Sequence, residues 1–411
     1  MNLPAALRYR GFVLYLASQL FATFASQIVT VAVGWQLYAL TGDPLDLGIA
    51  GLVEFAPAIL LVLLTGQVAD RFDRRFVVVV CVAGETLCVA GLLLFTVLGG
   101  EKAWHIFLIL LGFGLARAFW APAERALLPN LLPPEVLGRA IALSSSAWQL
   151  AAIAGPAVGG LLYGLAAEAA YGTAAGMLVV SAVLTAMIAR PPRRLDREPT
   201  DWQTLSAGFR YVWREKVVLG AISLDLFAVL LGGAVALLPV YASDILHVGP
   251  VGLGLLRAAP GVGAVLMAAY LTRWPIEHRA GAVMLVCVAV FGAATLVFGI
   301  SVTPWLSIAA LTVMGATDMV SVYVRETLIQ LRTPDALRGR VNAVNMMFIG
   351  ASNEVGAFRA GSVAALFGAV PAVVMGGVGS ILIAALWARL FPDLRRVDRL
   401  AGEDRPPQNA S

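Results

Sequence analysis

Eight charged side chains interrupt long apolar stretches of this 411-residue sequence, which is 60% hydrophobic and only 13% charged. A charge at membrane depth costs at least about 2.5–3.5 kcal/mol, so each of them needs a partner or a water-filled cavity. A carboxyl group held in a low-dielectric cavity can load and release a proton near neutral pH, which makes the acidic members candidates for proton coupling. The eight residues are Glu54, Glu85, Arg117, Asp225, Arg257, Asp318, Glu354 and Arg359.

The elements that position these side chains are apolar runs long enough to cross a bilayer. A soluble domain carries about 25% charged residues, so this chain has too little polar surface to face water, and lipid must be its solvent. We predict an all-α membrane protein with twelve transmembrane helices. The predicted spans are 12–40, 47–69, 76–98, 104–122, 139–164, 169–190, 217–243, 251–272, 280–300, 304–324, 340–367 and 371–391.

The basic residues predict the orientation. Of 29 Lys and Arg, Lys102 alone falls in a loop on one side, Arg117, Arg257 and Arg359 fall within spans, and the other 25 share the side of both termini. Because loops rich in Lys and Arg stay in the cytoplasm, we expect a multi-pass protein of the bacterial inner membrane with both termini cytoplasmic.

The sequence repeats itself at an offset of 201 residues, so that PPEVLGR at 133–139 aligns with PDALRGR at 334–340. We therefore predict two six-helix halves, 1–190 and 217–411, related by a pseudo-two-fold axis along the membrane normal, with a substrate cavity between them. The cytoplasmic linker 191–216 contains a predicted amphipathic helix in which Trp202, Leu205, Phe209, Val212 and Trp213 share one face. We expect this helix to lie on the bilayer.

The turn between the second and third spans carries a motif of Gly66, Asp70, Arg71, Arg74 and Arg75. Gly66 permits close helix approach, and Asp70 can accept hydrogen bonds from the amides of another helix's N-terminus. The arginines can pair with carboxylates of neighbouring loops. This chemistry suits a latch on a cytoplasmic gate. The alternative is a simple basic anchor, which would not require Asp70.

The fifth span carries a second motif of small residues around a proline. Small residues at every fourth position make a groove for close helix packing, and a proline kinks the helix. The alternative is ordinary small-residue packing with no further role. The motif consists of Ala151, Gly155, Pro156, Gly159 and Gly160.

Together these features resemble the major facilitator superfamily. The segments PAERALLP at 122–129, 134–160 and TPDALRGRVN at 333–342 resemble its enterobactin-exporter and macrolide-efflux branch. The resemblance implies a gate latch at the first motif, facing Arg338 and Arg340 at the start of the eleventh span, and an antiporter-type motif associated with export at the Gly-Pro span. The segment 273–279 lacks the first motif's pattern, and Arg117 lies later in its span than the usual proton-relay arginine.

The resemblance also implies which spans surround the cavity. Glu85 then falls on a peripheral span, and we set it aside as structural. Arg117 and Asp318 are repeat-equivalent, so they either pair across the cavity or pair within their own halves. Glu354 and Arg359 are five residues apart on one helix, a poor spacing for a local pair, so we expect different partners for them. Proton-carrier candidates are Glu54, Asp225, Asp318 and Glu354, although Glu54 and Asp225 can equally serve packing.

Other chemistries find no support in the sequence. Neither lysine follows a glycine, so a phosphate-binding GxxxxGK loop is absent, and the three histidines have no metal-ligand spacing. The three cysteines lie inside apolar runs as buried thiols. Basic residues in short loops argue against nucleic acid as a partner. We expect no cofactor and no metal, and as partners the lipid bilayer, a small-molecule cargo and protons, with the protein a monomer.

The favoured function is therefore export of an amphipathic small molecule driven by the proton gradient. Import or facilitated diffusion is the alternative within the same class. A membrane-embedded enzyme or a sensor is an alternative from another class, but the sequence offers no nucleophile with His or metal partners and no signalling domain. A siderophore, a macrolide-like drug and a lipid precursor all fit an apolar cavity with a few charges.

The orientation can be tested with single cysteines at Glu101 and Thr200 and an impermeant thiol reagent. In intact cells with a permeabilised outer membrane, Glu101→Cys should react and Thr200→Cys should not, because the basic residues place position 200 in the cytoplasm. Labelling of Thr200→Cys without labelling of Glu101→Cys would reverse the predicted topology.

Overall fold

The computed structural model describes residues 5–189 and 202–398. The beginning of the predicted linker, 191–201, and the end of the tail lie outside the described residues. Within them, every regular element is helical. The α-helices are α1 (Arg10–Thr41), α2 (Pro44–Leu60), α3 (Val62–Arg71), α4 (Arg74–Val97), α5 (Ala103–Leu127), α6 (Pro134–Leu165), α7 (Ala167–Ala186), α8 (Trp202–Arg214), α9 (Lys216–Gly232), α10 (Leu238–Val240), α11 (Gly249–Arg273), α12 (Ala280–Ile300), α13 (Pro304–Arg332), α14 (Asp335–Phe367), α15 (Ala369–Leu390) and α16 (Pro392–Arg395).

Ten helical stretches of the described chain are long and apolar enough to cross a membrane. Two of the twelve predicted spans are not among them. The second span is interrupted at Leu61, one turn after Pro57, and is therefore divided between α2 and α3. The eleventh span is α14, a continuous helix of 33 residues that carries charged side chains along its length. The ten stretches identify a multi-pass membrane protein.

The seventh predicted span is broken after α9. Gly233 follows that helix with φ of 35°, a left-handed conformation that glycine adopts without a steric cost. A 3₁₀ turn, the short helix α10 and a π-helical turn, Tyr241–Ile245, continue the span. Helix α13 contains the tenth predicted span and continues to Arg332, so Arg325 lies inside the helix, just beyond the predicted end of the span at residue 324.

The chain divides into two compact units. The first comprises residues 1–201 and 238–258, and the second comprises residues 202–237 and 259–411. In the first unit α1 packs against α6 and α7, α4 packs against α5 and α7, and α2 packs against α5. In the second unit α12 packs against α13 and α15, and α9 packs against α14 and α15.

Each unit contains a crossing where two helix backbones touch. A Cβ atom added at Gly114 of α5 would lie 1.9 Å from the backbone oxygen of Glu54 in α2. A Cβ atom added at Gly315 of α13 would lie 1.8 Å from the backbone oxygen of Pro260 in α11. The two glycines are 201 residues apart, so the sequence repeat corresponds to a repeated helix crossing.

The amphipathic helix of the linker is present as α8, but its apolar residues do not share one environment. Val212 is 3% exposed and belongs to a buried cluster with residues of α9, α13 and α14, and the ring of Phe209 meets that of Phe348 edge-on. Trp213 is 77% exposed. Val212 therefore packs on protein while Trp213 is exposed, and the expectation that this helix lies on the bilayer stays a prediction. The side of α8 at Val212 packs on protein because α14 approaches it closely at Gly208.

The crossings generate a prediction about stability. Gly114→Ala and Gly315→Ala should each destabilise the protein by about 1–3 kcal/mol, because the added methyl group collides with the backbone of the crossing helix. Thermal unfolding of the purified protein in detergent would measure the loss. Gly176→Ala in α7 is the matched control, since a Cβ atom there meets nothing within 4 Å. Equal melting temperatures for all three variants would show that the crossings are not tight.

Candidate functional site

The second unit contains a buried ion pair between two helices. Asp225 of α9 contacts the guanidinium of Arg325 in α13, and the two residues are 7% and 2% exposed. Breaking such a pair leaves a buried charge without compensation, which typically costs about 3–5 kcal/mol. The pair therefore holds α9 against α13. Each of the two side chains can stay ionised only because the other compensates its charge.

Asp318 lies two turns before Arg325 on the same helix, and so on the same face. With Asp225 and Thr317 it lines a small cavity that has room for about one water molecule. Ser321 also lines the cavity, is 3% exposed, and has a hydroxyl without a hydrogen-bond partner in the described structure. Asp318 is half-buried, and the charges of Asp225 and Arg325 both act on it.

The next residue along α13 completes the surroundings of this pair. The carboxylate of Glu326 lies 4.0 Å from the Nε of Arg325 and is 32% exposed. Its Oε1 accepts a hydrogen bond of 2.8 Å from Asn345 of α14. Because Glu326 is partly solvated and hydrogen-bonded, its charge is screened, whereas Asp225 and Arg325 are buried and Asp318 lies half-buried beside them.

The first unit has a second cluster of charges, centred on Arg117 of α5. One guanidinium nitrogen of Arg117 donates a hydrogen bond of 2.5 Å to the hydroxyl of Ser26 in α1. Its guanidinium carbon lies 5.7 Å from the ring centre of Phe113 and 5.8 Å from that of Trp120, within the range of a cation–π interaction. The charges of Arg117 and of Arg257 in α11 both act on Glu54.

Glu85 of α4 belongs to this same cluster, and the expectation that it is only a structural residue of a peripheral span does not account for this. It is 2% exposed, its Oε1 atom has no hydrogen-bond partner in the described structure, and its neighbours in charge are Arg117 and Glu54. A Cβ atom added at Gly84 would lie 3.6 Å from that of Ala116, so α4 and α5 pack closely at this point. The family resemblance implies a peripheral span for Glu85, and a span assignment does not reveal how closely the neighbouring helix approaches.

Repeat-equivalent positions also carry a buried polar link in each unit. In the first unit the hydroxyl of Tyr15 in α1 donates a hydrogen bond to Glu124 in α5. Glu124 is equivalent to Arg325 at the offset of 201. Neither link is among the contacts that the sequence predicts. The signal that could have revealed them is the alignment of Glu124-Arg125 with Arg325-Glu326, which places charged residues at matching depth in both halves.

Arg117 and Asp318, the repeat-equivalent charges, each have partners inside their own unit. Arg117 has Ser26 and the glutamates, and Asp318 has Asp225 and Arg325. These contacts agree with the alternative in which each residue pairs within its half.

The arginines of the first motif bind the ends of neighbouring helices. Arg74 donates a hydrogen bond of 3.1 Å to the backbone oxygen of Ala126 in α5, and Arg75 donates one to that of Ala186 in α7. Both oxygens lie at helix C-termini, where a positive charge is favourable. Asp73 caps α4 by accepting a 3.0 Å hydrogen bond from the amide of Arg75.

The proposed partners in the gate remain predictions. The side chain of Asp70 lies outside the described part of the structure. At the start of α14, Arg338 forms an ion pair of 2.6 Å with Asp335 and donates a 3.1 Å hydrogen bond to the backbone oxygen of Gln330. The backbone of Arg340 contacts α8 at Gly208.

The Gly-Pro motif of α6 packs closely against α1. A Cβ atom added at Gly155 would lie 2.6 Å from the Cβ of Gln27, and one at Gly159 would lie 2.9 Å from the Cα of Ile28. Any larger side chain at these positions would push the helices apart. The two glycines therefore lie at a close helix contact, as the small-residue pattern predicts.

The same motif also packs against the first turns of α11. A Cβ atom added at Gly160 would lie 2.4 Å from the backbone oxygen of Pro250, and one at Gly254 would lie 2.5 Å from that of Pro156. All four residues belong to the first unit. The motif thus brings α6 into backbone contact with two helices at once.

Arg359 binds backbone rather than a carboxylate in the contacts that the structure gives. Its guanidinium donates hydrogen bonds of 2.9 Å and 2.5 Å to the backbone oxygens of Leu230 and Leu231. These oxygens end α9, so Arg359 caps the broken span at Gly233. Glu354 lies one turn earlier on α14 and is half-buried. The geometry assigns Arg359 a structural partner, which the sequence pattern could not identify.

The chain is similar to known proteins of one transporter family over nearly its whole length. Residues 4–409 match the family described as transmembrane secretion effector. The enterobactin exporter EntS of Citrobacter koseri is 27% identical over 373 residues, which cover 90% of this chain and 89% of that protein.

Two solved structures are similar in fold. A bacterial homologue of the human lysosomal transporter Spinster, in an inward-facing and occupied conformation, has a TM-score of 0.76 at 15% identity and covers 96% of this chain and 99% of its own. A variant of the nucleoside transporter NupG has a TM-score of 0.73 at 13% identity, covering 93% and 100%. At these identities the likeness shows the fold alone.

The buried ion pair generates a prediction about coupling between two helices. Asp225→Asn and Arg325→Gln should each lower the free energy of unfolding by about 3–5 kcal/mol, because each leaves a buried charge unpaired. The double variant should lose less than the sum of the two, since it leaves no charge behind. Thermal unfolding of the purified proteins would provide the measurement.

The exposed pair of Arg338 and Asp335 offers a matched control. Asp335 is 88% exposed in its side chain, so Asp335→Asn should cost at most about 1 kcal/mol. If the losses from Asp225→Asn and Arg325→Gln simply add in the double variant, the two side chains do not interact in the folded protein.

Proposed function

The chain belongs to the transmembrane secretion effector family of the major facilitator superfamily, and we propose that it exports an amphipathic small molecule across the bacterial inner membrane by proton antiport. It is a multi-pass membrane transporter and not an enzyme. Transport follows from the family. What we propose beyond the family is the direction of transport, the chemical class of the cargo and the proton as coupling ion.

The proposed architecture is twelve membrane-spanning helices in two six-helix halves that alternate in access. The ten apolar stretches supply ten of these helices. The interrupted pair α2 and α3 and the long charged helix α14 supply the other two. The crossings at Gly114 and Gly315, 201 residues apart, support the symmetry, because each joins the second and the fourth predicted helix of its half.

The observation that carries proton coupling is the charge balance of Asp225, Asp318 and Arg325. Two carboxyl groups face one guanidinium, and Asp225 is committed to Arg325. A second ionised carboxylate in this place would be an uncompensated charge at membrane depth, which is costly. A proton on Asp318 neutralises it. Because Asp318 is half-buried rather than sealed, that proton can be exchanged.

This balance links the proton to the positions of the helices. When Asp318 loses its proton, two carboxylates compete for Arg325, which weakens the tie between α9 and α13. A change of about 2–3 kcal/mol in that tie shifts the ratio of two conformations by roughly 30- to 150-fold. One proton moving down about 100 mV supplies roughly 2.3 kcal/mol, which is of the same size.

Two features support export rather than uptake. The relatives at 27% identity are exporters by name, and the glycines of the antiporter-type motif lie in close backbone contact with α1 and α11. The proposed orientation has both termini in the cytoplasm, with the protein a monomer in the bilayer and no nucleic-acid partner.

Deletion of the gene from its host should test direction and cargo together. An amphipathic small molecule should become depleted from the medium and enriched in the cells, as mass spectrometry of both would show. The wild-type gene and Asp393→Asn should restore export, because Asp393 is exposed on α16. Asp318→Asn should not restore it. Enrichment of the molecule in the medium of the deletion strain would indicate an importer.

The same molecule then tests coupling with purified protein in liposomes. The wild type should accumulate it against its gradient when a pH gradient is imposed. Asp318→Asn should still exchange it between the two sides but should not accumulate it, because the exchangeable proton is gone. Accumulation by Asp318→Asn equal to the wild type would exclude Asp318 as the carrier.

A further inference from the structure

Ser321 of α13 is 3% exposed, and its hydroxyl has no hydrogen-bond partner in the described structure. We propose that this hydroxyl and one water molecule form a relay that carries the coupling proton between Asp318 and Asp225. The inference deepens the proposed function and rests on it for the role of Asp318. The relay itself requires only groups of the second unit.

Other hydroxyl groups of the same helix behave differently from that of Ser321. Thr312, Thr317 and Thr327 donate hydrogen bonds of 2.8, 2.9 and 2.7 Å to the backbone oxygens four residues earlier. This is the usual bond of a hydroxyl inside a helix. Ser321 does not form it, and a buried hydroxyl without a hydrogen bond is costly. Its hydroxyl is therefore available to a small polar molecule.

The small cavity beside Ser321 offers the place for such a molecule. It has room for about one water molecule, and Asp225, Asp318 and Ser321 all line it. Asp318 and Ser321 are three residues apart and share one face of α13, while Asp225 belongs to α9. A buried water needs about two to four polar partners, and these three side chains can supply them.

The other described walls of the cavity are apolar or already bonded. Val288 and Phe291 of α12 line it with apolar side chains, and Thr317 gives its hydroxyl hydrogen to the backbone. Arg325, the partner of the aspartate on α9, holds a fixed positive charge beside the cavity. Glu326 also faces that guanidinium, but it is partly solvated. The two aspartates are therefore the groups between which a proton can move.

The two aspartates differ in their access to water. Asp318 is half-buried and can exchange a proton with its surroundings, whereas Asp225 is 7% exposed and is held by Arg325. A proton therefore reaches Asp225 most directly from Asp318, through groups inside the cavity. The hydroxyl of Ser321 suits this transfer because it can accept one proton while it donates another.

Transfer through the relay moves one proton and leaves the relay unchanged. The carboxyl group of Asp318 gives its proton to the water, and the water gives one of its own to the oxygen of Ser321. Ser321 then gives its original hydroxyl proton to the carboxylate of Asp225. Asp318 ends ionised and Asp225 ends neutral. Arg325 now has its counter-ion on its own helix, so the ion pair no longer ties α9 to α13.

Trp387 of α15 can report the release of α9 without any cargo. Its indole nitrogen donates a hydrogen bond of 3.0 Å to the hydroxyl of Ser223 in α9, and its ring centre lies 5.3 Å from that of Phe227 in the same helix. A rapid drop in pH, applied to the full-length protein in nanodiscs, should change the tryptophan fluorescence as Asp225 takes up its proton. Trp387→Phe should lose this change, which assigns the signal.

Ser321→Ala should slow the fluorescence change by at least about tenfold and leave its amplitude unchanged, because a relay group alters the rate of proton transfer and not its equilibrium. Ser321→Thr keeps a hydroxyl and should restore the rate. Ser362→Ala in α14 is the matched control, since that hydroxyl donates to the backbone oxygen of Phe358 at 2.8 Å. Equal rates in the wild type and Ser321→Ala would overturn the proposal. So would a reduced amplitude in Ser321→Ala, or no response in the wild type.

Infrared spectroscopy of the same samples tests the hydrogen bonds at equilibrium. The carbonyl stretching band of a protonated carboxyl group that disappears in Asp318→Asn identifies Asp318. Because the water held by Ser321 bonds to this carboxyl group, Ser321→Ala should move the band to higher frequency. Ser362→Ala should leave it in place. A band that Ser321→Ala does not move would show that Ser321 and Asp318 are not linked.

Failure of this inference is distinguishable from failure of the proposed function. Neither the fluorescence nor the infrared measurement needs cargo or transport. If Ser321→Ala slows the response but Asp318→Asn accumulates cargo as the wild type does, the relay exists and proton-coupled export is wrong. If Asp318→Asn loses accumulation but Ser321→Ala responds as fast as the wild type, coupling stands and the relay is wrong.

Discussion

Backbone contact at Gly114 and at Gly315 is the constraint on which the placement of the charged groups depends. With a hydrogen in place of a side chain at each site, α5 can approach α2 and α13 can approach α11 to within atomic contact. Arg117 and Asp318 each follow their glycine by three residues, less than one turn, so the contact determines where their charges lie. A larger residue at either glycine would move the charge away from its partners. The repeated element in the two halves is therefore a packing constraint, which carries a base in one half and an acid in the other.

Opposite charges occupy equivalent positions in the two halves, Arg117 in the first and Asp318 in the second. In the second unit two carboxyl groups, those of Asp225 and Asp318, act on Arg325. In the first unit Arg117 donates a hydrogen bond to Ser26 of α1, and its charge acts on Glu54 of α2. In each case the charge is tolerable because polar or charged groups of neighbouring helices compensate it.

Much of the fold can be predicted from the sequence, because apolar runs, basic loops and the 201-residue repeat can each be recognised along the chain without knowledge of contacts between helices. The helix bounds agree closely wherever a turn residue ends the apolar run, as Gly42 does after α1.

The features that the sequence does not predict have a common physical cause, since they depend on contacts between distant helices. Arg325 is tolerated in a buried position because Asp225 compensates it, and no local pattern encodes that partner. The family resemblance implies a peripheral span for Glu85, but it says nothing about how closely the neighbouring helix approaches at that residue. The break at Gly233 is stabilised by Arg359, which lies 126 residues later.

The contact between α6 and α11 has a mechanical consequence. At Gly160 and Gly254 two backbones meet with no side chain between them. Helices that interlock through ridges and grooves must lift apart before they can shift, because each ridge blocks the next groove. Smooth surfaces impose no such barrier, so α11 can slide or roll along α6 by small steps while the two stay in touch. The two glycines thus form a close contact between the helix backbones that contains no side chain to block a small shift of one helix along the other.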